Sequence, residues 1–338
     1  MPIVTDFSFQ HKHPATLALD DDGDFLGLLR AFVGGEPRSN SKRTWQGAGF
    51  NMIWRPNTPG EVGPNDFFLE LNLTSEELSF NEISGKTGVA NRGFLQEATF
   101  LGAIGYLQTV KDRSDGSDQH FEPGVWGRVK PTTNPAEPES VFRMGSIPHG
   151  TTINLQGRAF VVNGPPQFDV ANIIPFNEGA PDDGSALVDF FVPFTDVSTD
   201  STSRTPNASV VGLTTDQLRN PNLILQQAIA GQTITKTTVI QIASDTRLLG
   251  NGPVPAPDVG GGTDNIAFLL GNPADDGKGG GKPNANAPVV TATFWVEEGA
   301  NADGSTLLQL QYTQRVLLNF NNLSWPHVSV ATLTPQST

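Results

Sequence analysis

Long stretches of the chain alternate apolar and polar residues, the two-residue period of half-buried β-strands. In DFFLELNL, Phe67, Leu69, Leu71 and Leu73 share one face against Glu70 and Asn72. In LLQLQYTQRVLLNF, Leu308, Leu310, Tyr312, Val316, Leu318 and Phe320 share a face. Gln309, Gln311, Thr313 and Arg315 take the other. VVTATFWVEEG repeats the period with Val290, Ala292, Phe294 and Val296. EEGANADGST joins these two strands as a hairpin, with Asp303-Gly304 as its turn signal. Two β-rich regions follow. The first runs from about Thr44 to about Phe176, with strand candidates at Thr44–Trp54, Phe67–Leu73, Leu95–Val110, Gly124–Val129, Val141–Ile147 and Thr151–Val162. The second runs from about Thr238 to Leu333.

Between them, residues 177–231 mix loop signals with one helix candidate. Thr214 or Thr215 is a candidate N-cap and Gly231 a candidate C-cap. Pro221 interrupts the run, so the helix is expected from about Asn222. Gly271–Pro288 reads as a long loop and residues 1–40 as an N-terminal arm. The chain therefore reads as one all-β domain over residues 1–338, with long inserted loops and a short helical insertion. An antiparallel sheet of this length must manage its edges. Closing into a barrel removes them and encloses a cavity.

Composition narrows the function classes. The 36 glycines and 26 prolines, against 17% charged residues, fit many turns and few charged helical faces. A net charge of −14 argues against nucleic acid and against an anionic membrane surface. The absence of cysteine excludes disulfides, thiolate metal ligands and cysteine-ligated haem. The N-terminus shows no basic region leading into an apolar run, and no window approaches 18 consecutive apolar residues. The expectation is a cytoplasmic protein.

Few residues carry chemistry. In NLSWPHVSVATL, His327 shares an alternating face with Trp325, Ser329, Ala331 and Leu333. The small residues leave room beside the imidazole for a bulky flat ligand. A buried, hydrogen-bonded histidine is the plainer reading. His149, in Pro148-His149-Gly150, is either a gate on the opposite side of a pocket or an exposed turn residue. His120 with Glu122 is a polar rim cluster or a solvated strand end, and His11 and His13 sit in the arm. DDDGD lacks the glycine and terminal glutamate of an EF-hand, and DDGKGGGKP has Pro283 where a phosphate loop needs Ser or Thr. No nucleophile elbow and no evident acid/base carboxylate pair is present.

RTWQGAGF (Arg43–Phe50) resembles the Gly-x-Trp-x-Gly-x-Gly signature of the nitrobindin-like haem-binding β-barrels of the calycin superfamily, with Arg43 at the first glycine. Ala98–Val129 resembles that family's strand–turn–strand ending in a motif like His-x-Glu-x-Gly-x-Leu, here His120, Glu122, Gly124 and, at the leucine position, Trp126. Val141–Gly157 resembles the next hairpin, and the segment ending in Trp325–Pro335 resembles the strands that carry the proximal haem histidine. The resemblance covers roughly half the chain. It implies a calycin-like barrel holding ferric haem b, with iron ligated by His327 and with Trp45, Trp325 and Ser329 around the cofactor. It further implies His149 on the distal side and reaction with nitric oxide, peroxynitrite or peroxide, as an isomerase or peroxidase-like enzyme. Two alternatives keep the fold and drop the metal: an apolar small-molecule carrier, and a metal-free calycin enzyme with a lidded cavity. A homodimer contact is one role compatible with the insertion.

Overall fold

The computed structural model describes residues 23–37, 39–58, 60–180, 188–257, 259–271 and 283–336. The strands are β1 (Lys42–Pro56), β2 (Phe67–Glu82), β3 (Val89–Asn91), β4 (Thr99–Asp112), β5 (Asp118–Val129), β6 (Ser140–Ile147) and β7 (Thr151–Asn163). They continue with β8 (Phe176–Asn177), β9 (Thr233–Ala243), β10 (Gly262–Asn265), β11 (Asn286–Ala300), β12 (Thr306–Phe320) and β13 (Leu323–Pro335). Ten of them pair in the order β1-β2-β4-β5-β6-β7-β9-β11-β12-β13, and β13 pairs back onto β1. The closing seam runs antiparallel from Trp45↔Pro335 to Ile53↔His327. The protein is thus a closed antiparallel ten-stranded barrel. The short strands β3, β8 and β10 attach to β4, β13 and β7.

Local chemistry sets the hairpins. Asn301 N–H donates to Ser305 O at 2.8 Å and Gly304 takes φ +84°, so the expected Asp303-Gly304 turn forms. Asn321 (φ +52°) and Asn322 (φ +62°) make the two-residue connection between β12 and β13. Asparagine tolerates this left-handed region better than other side chains, and two such residues match the twist of a tight hairpin.

One end of the barrel is closed. A short helical segment, Gly27–Leu29 followed by Arg30–Val33, inserts Leu29 and Phe32 among Trp45, Phe80, Trp126 and Phe294. Phe32 stacks on Phe80 at 4.6 Å, and the Trp45 indole N–H donates to Phe32 O at 2.8 Å. Residues 25–33, read from sequence as part of an arm, are therefore the barrel's plug. His11 and His13 lie outside the described residues.

Toward the other end the wall changes polarity. Glu70, Asn72, Thr74 and Glu76 of β2 lie on the interior face, in line with the plug-facing Leu78 and Phe80. The apolar stripe Phe67, Leu69 and Leu71 faces outward, together with Phe50, Met52 and Trp54 of β1 and Val328 and Val330 of β13. The insertion covers this outer stripe. Its helices Thr215–Arg219 and Asn222–Ala228 contribute Leu218 and Leu225, and the segment Val188–Phe191 contributes Phe191. A capping box between Thr214 and Gln217 starts the first helix. Pro221 stands at the N-cap of the second, as its missing N–H requires. The insertion packs on the side wall rather than over the barrel mouth. No helix among the described residues is long and apolar enough to cross a membrane.

Candidate functional site

The open end holds a cavity of about 350 Å³. Its apolar walls include Ile53, Val110, Ile147, Val290, Val316 and Leu318, and Arg55, Glu70, Gln119 and Thr151 add polar side chains to the lining. Leu269, on the short helix Ala267–Leu270, closes over part of the mouth. That helix is seated on the Gly150 turn, where Ile266 N–H donates to Gly150 O at 2.9 Å. Of the sequence-predicted loop Gly271–Pro288, residues 272–282 lie outside the described residues.

His327 and Ser329 project into the cavity from β13, as the alternation predicts. The His327 Nε2–H donates to Asn51 Oδ1 at 2.6 Å, and the Ser329 hydroxyl donates to the same oxygen at 2.8 Å. Asn51 is brought there by the β1–β13 seam, where it faces Ser329. This bond fixes the imidazole tautomer and leaves Nδ1 unprotonated. Burial, reinforced by His120 and His149, holds the His327 pKa down to about 3, so the ring is neutral.

His149 stands exposed at the lip. Its Nε2–H donates to Gln119 O at 3.2 Å, and its ring lies 6.0 Å from that of His120. Burial, then His120, lowers its pKa. His120 Nε2–H donates to Glu122 Oε2 at 3.1 Å. His149 and His327 therefore spend Nε2–H on a fixed oxygen and keep Nδ1 as an acceptor.

The two tryptophans predicted beside a cofactor lie elsewhere. Trp45, on β1, is fully buried against the plug. Trp325 stacks on Phe320 at 4.5 Å, donates its indole N–H to Phe320 O at 2.9 Å, and packs with Trp54, Phe67 and Phe191 in the outer cluster. It sits at the start of β13, where the bond to Phe320 and the outer aromatic layer hold its ring away from the cavity.

Beneath the cavity lies a network that the sequence did not disclose. The Tyr312 hydroxyl donates to Glu76 Oε2, and Thr74 Oγ1–H donates to Glu76 Oε1 at 2.8 Å. Gln108 Nε2–H donates to Tyr312 Oη at 3.0 Å. Arg143 donates to Gln108 Oε1 at 3.2 Å, Gln314 Oε1 at 2.7 Å, Tyr106 Oη at 3.0 Å and Glu122 Oε1 at 2.7 Å. Burial alone would raise Glu122, but Arg143, then His120, outweigh it and hold its pKa down to about 2. Glu76 is pushed upward by burial, against the hydrogen bonds from Tyr312 and Thr74. These polar residues come from five strands, β2, β4, β5, β6 and β12, so only the ring order brings them together.

Gly49 makes room for this floor. A Cβ there would overlap Glu76 Oε1 and would meet Val330 O at 2.6 Å and Thr74 Oγ1 at 2.7 Å. Gly49→Ala is expected to lower stability by about 1–3 kcal/mol through overpacking. Urea denaturation measures it, and an unchanged midpoint would contradict the crowding.

Haem makes three demands on this site: an axial ligand, room and charge. His327 meets the first, being neutral with its second nitrogen held by a carbonyl oxygen. The cavity lies at the low end of the range for drug-sized ligands, about 300–1,000 Å³, and a planar tetrapyrrole is larger than that class. Arg55, the arginine at the mouth, is already paired with Glu70 at 2.6 Å, so among the described residues two propionates meet no free guanidinium or ammonium group. The donor set therefore fits one iron bond, whereas the cavity as formed does not fit the whole group. Among the described residues no group of three or more His, Cys, Asp or Glu is arranged to hold a metal ion.

No protein-family profile matches the chain, and no curated protein sequence matches it. The crystal structure of Rv2717c from M. tuberculosis aligns with 92% of this chain and 96% of its own at 12% identity, with a TM-score of 0.38. The fold class rests on the closed ring of strands.

Proposed function

We propose that the barrel binds an amphipathic small molecule, its apolar part along the cavity walls and its polar end toward the Glu76–Tyr312–Gln108 floor. One observation carries this reading: an apolar-walled cavity, open at one end, stands over a hydrogen-bonded polar floor, with the other barrel end plugged. Isothermal titration with 1-octanol tests it. Saturable one-to-one binding is expected for the native protein, and loss of it for Val316→Trp, whose indole would fill the space. Equal heats from both proteins would refute the reading.

A second reading is haem binding of the nitrobindin type. The His327–Asn51 hydrogen bond favours it, because it supplies an oriented, neutral imidazole. Bound iron would supply a coordination position open to nitric oxide, peroxynitrite or peroxide. His149, on the lip, would stand on the distal side. This reading requires Leu269 to leave the mouth. Titration with hemin separates the two. The amphipath reading expects identical absorption spectra from the native protein and His327→Ala. A saturable one-to-one Soret shift in the native protein, lost in the variant, would establish haem ligation instead.

A further inference from the structure

The charges around the cavity do not balance. Glu122 is matched by Arg143 at 2.7 Å and Glu70 by Arg55 at 2.6 Å. Glu76 also faces the cavity, and among the described residues no basic side chain lies within ion-pair distance of it. A buried carboxyl without a cationic partner is costly when ionised. Its neighbours, Tyr312, Thr74 and Gln108, are all hydrogen-bond donors toward the carboxyl or its hydroxyl partner. They suit a carboxylate better than a carboxylic acid, because an ionised carboxyl only accepts.

The remaining polar capacity has the same sense. The Nδ1 atoms of His149 and His327 are acceptors, since each neutral ring donates through Nε2. The Ser329 hydroxyl donates to Asn51 and keeps its lone pairs. Lone pairs of Glu76, His327 and Ser329 therefore meet at the cavity, and no unpaired cation faces it among the described residues. An ammonium carries three donors and no acceptor, the complement of such a lining. A carboxylate or phosphate head would instead stand against the Glu76 carboxyl, and the Arg55 guanidinium at the mouth is already paired with Glu70.

We infer that the cavity selects an amphipathic primary amine, whose ammonium group pairs with Glu76 while its alkyl part lies along Ile53, Val316 and Leu318. The inference rests on the amphipath reading of the cavity. The net charge of −14 would also raise the local concentration of cations around the mouth. When the amine binds, its ammonium donates to the Glu76 carboxylate, and the two remain as a hydrogen-bonded pair.

The test compares 1-octylamine hydrochloride, 1-octanol and sodium octanoate by titration calorimetry near neutral pH, on the native protein and on Glu76→Gln. Octylamine is expected to bind the native protein at least about tenfold more tightly than octanol, the worth of one charge-assisted bond. Octanoate is expected to bind more weakly than either. Glu76→Gln should lose the preference for octylamine and keep octanol binding, which also shows that the variant cavity is intact. Octanol or octanoate binding as tightly as octylamine overturns the inference while leaving the amphipath reading standing. So does an octylamine affinity unchanged in the variant. If none of the three binds the native protein, both fail. Should Glu76→Gln not fold, the order of the three affinities on the native protein decides alone.

Discussion

Replacing Arg143 with methionine is expected to cost about 3–5 kcal/mol of folding stability at neutral pH, the usual penalty for removing one partner of a buried ion pair. Arg143 is 1% exposed, and its guanidinium lies 5.1–5.6 Å from the rings of Tyr106, Trp126 and Phe294. Methionine fills much of that volume, so the loss is chiefly electrostatic: Glu122 is left buried without its cation, and Gln108, Gln314 and Tyr106 each lose a donor. The pH dependence supplies a second signature. In the native protein the Glu122 pKa lies at about 2, below its ordinary 4.5. Its stabilising contribution is therefore present above 4.5 and is lost as pH falls toward 2. Without Arg143, burial is no longer outweighed and the folded-state pKa rises above the ordinary value. The sign then reverses: the contribution is present below 4.5 and lost as pH rises. Urea midpoints between about pH 4.5 and 2 should thus fall with acid more steeply in the native protein than in the variant. Parallel curves, or a loss below about 1 kcal/mol, the scale of a surface ion pair, would show that the network is not anchored by this arginine.

That network illustrates where sequence reading stops. Alternation along β12 correctly placed Tyr312 and Val316 on one face, and alternation along β13 placed His327 with Ser329, because each statement concerns a single strand. The direction of a face is another matter. Phe67, Leu69 and Leu71 do share a face, but they point away from the barrel interior because the insertion buries the outer wall. Where both faces of a strand are covered, a two-residue period cannot tell inside from outside. The floor was invisible for a related reason. Glu76, Gln108, Tyr312 and Gln314 lie on β2, β4 and β12, and pairing across a closed ring is not written in any one segment. The only local sign was a polar residue breaking an apolar face, such as Gln314 between Tyr312 and Val316. Asn51 was missed because its partner His327 lies 276 residues away across the closing seam. Trp325 obeyed the strand period in sequence, but at the strand's start a ring large enough to reach Phe320 joined the outer layer instead.

Between about pH 5 and 8.5, stability is expected to fall by up to about 3 kcal/mol, with Glu297 as a principal cause. Glu297 is fully buried on β11, paired in register with Gln309. Gln309 Nε2–H donates to Glu297 Oε2, and Gln309 also exchanges hydrogen bonds of 3.1 and 3.0 Å with Gln232, just beyond the insertion. Glu297 Oε1 is buried and accepts no hydrogen bond. Burial raises the carboxyl's pKa to about 7 against the single bond from Gln309. Because this lies above the ordinary 4.5, the stability it contributes is fully present below 4.5 and is lost as pH rises through 7. The shift of about 2.5 units sets the size, at 1.36 kcal/mol per unit. Glu76 acts in the same direction, so some slope survives without Glu297. Glu297→Gln should flatten the curve of unfolding free energy against pH and leave the variant the more stable protein at about pH 8.5. A slope equal to the native one in the variant would assign the pH dependence elsewhere. Hydrogen exchange locates the effect. Gln311 Nε2–H, next on the same outer face, donates to Leu225 O at 3.1 Å and so ties the helix Asn222–Ala228 to β12. Ionising Glu297 weakens the wall against which that helix packs. Its amides should therefore exchange faster at high pH than the chemical pH effect alone predicts, while those of the plug at Gly27–Val33 should not.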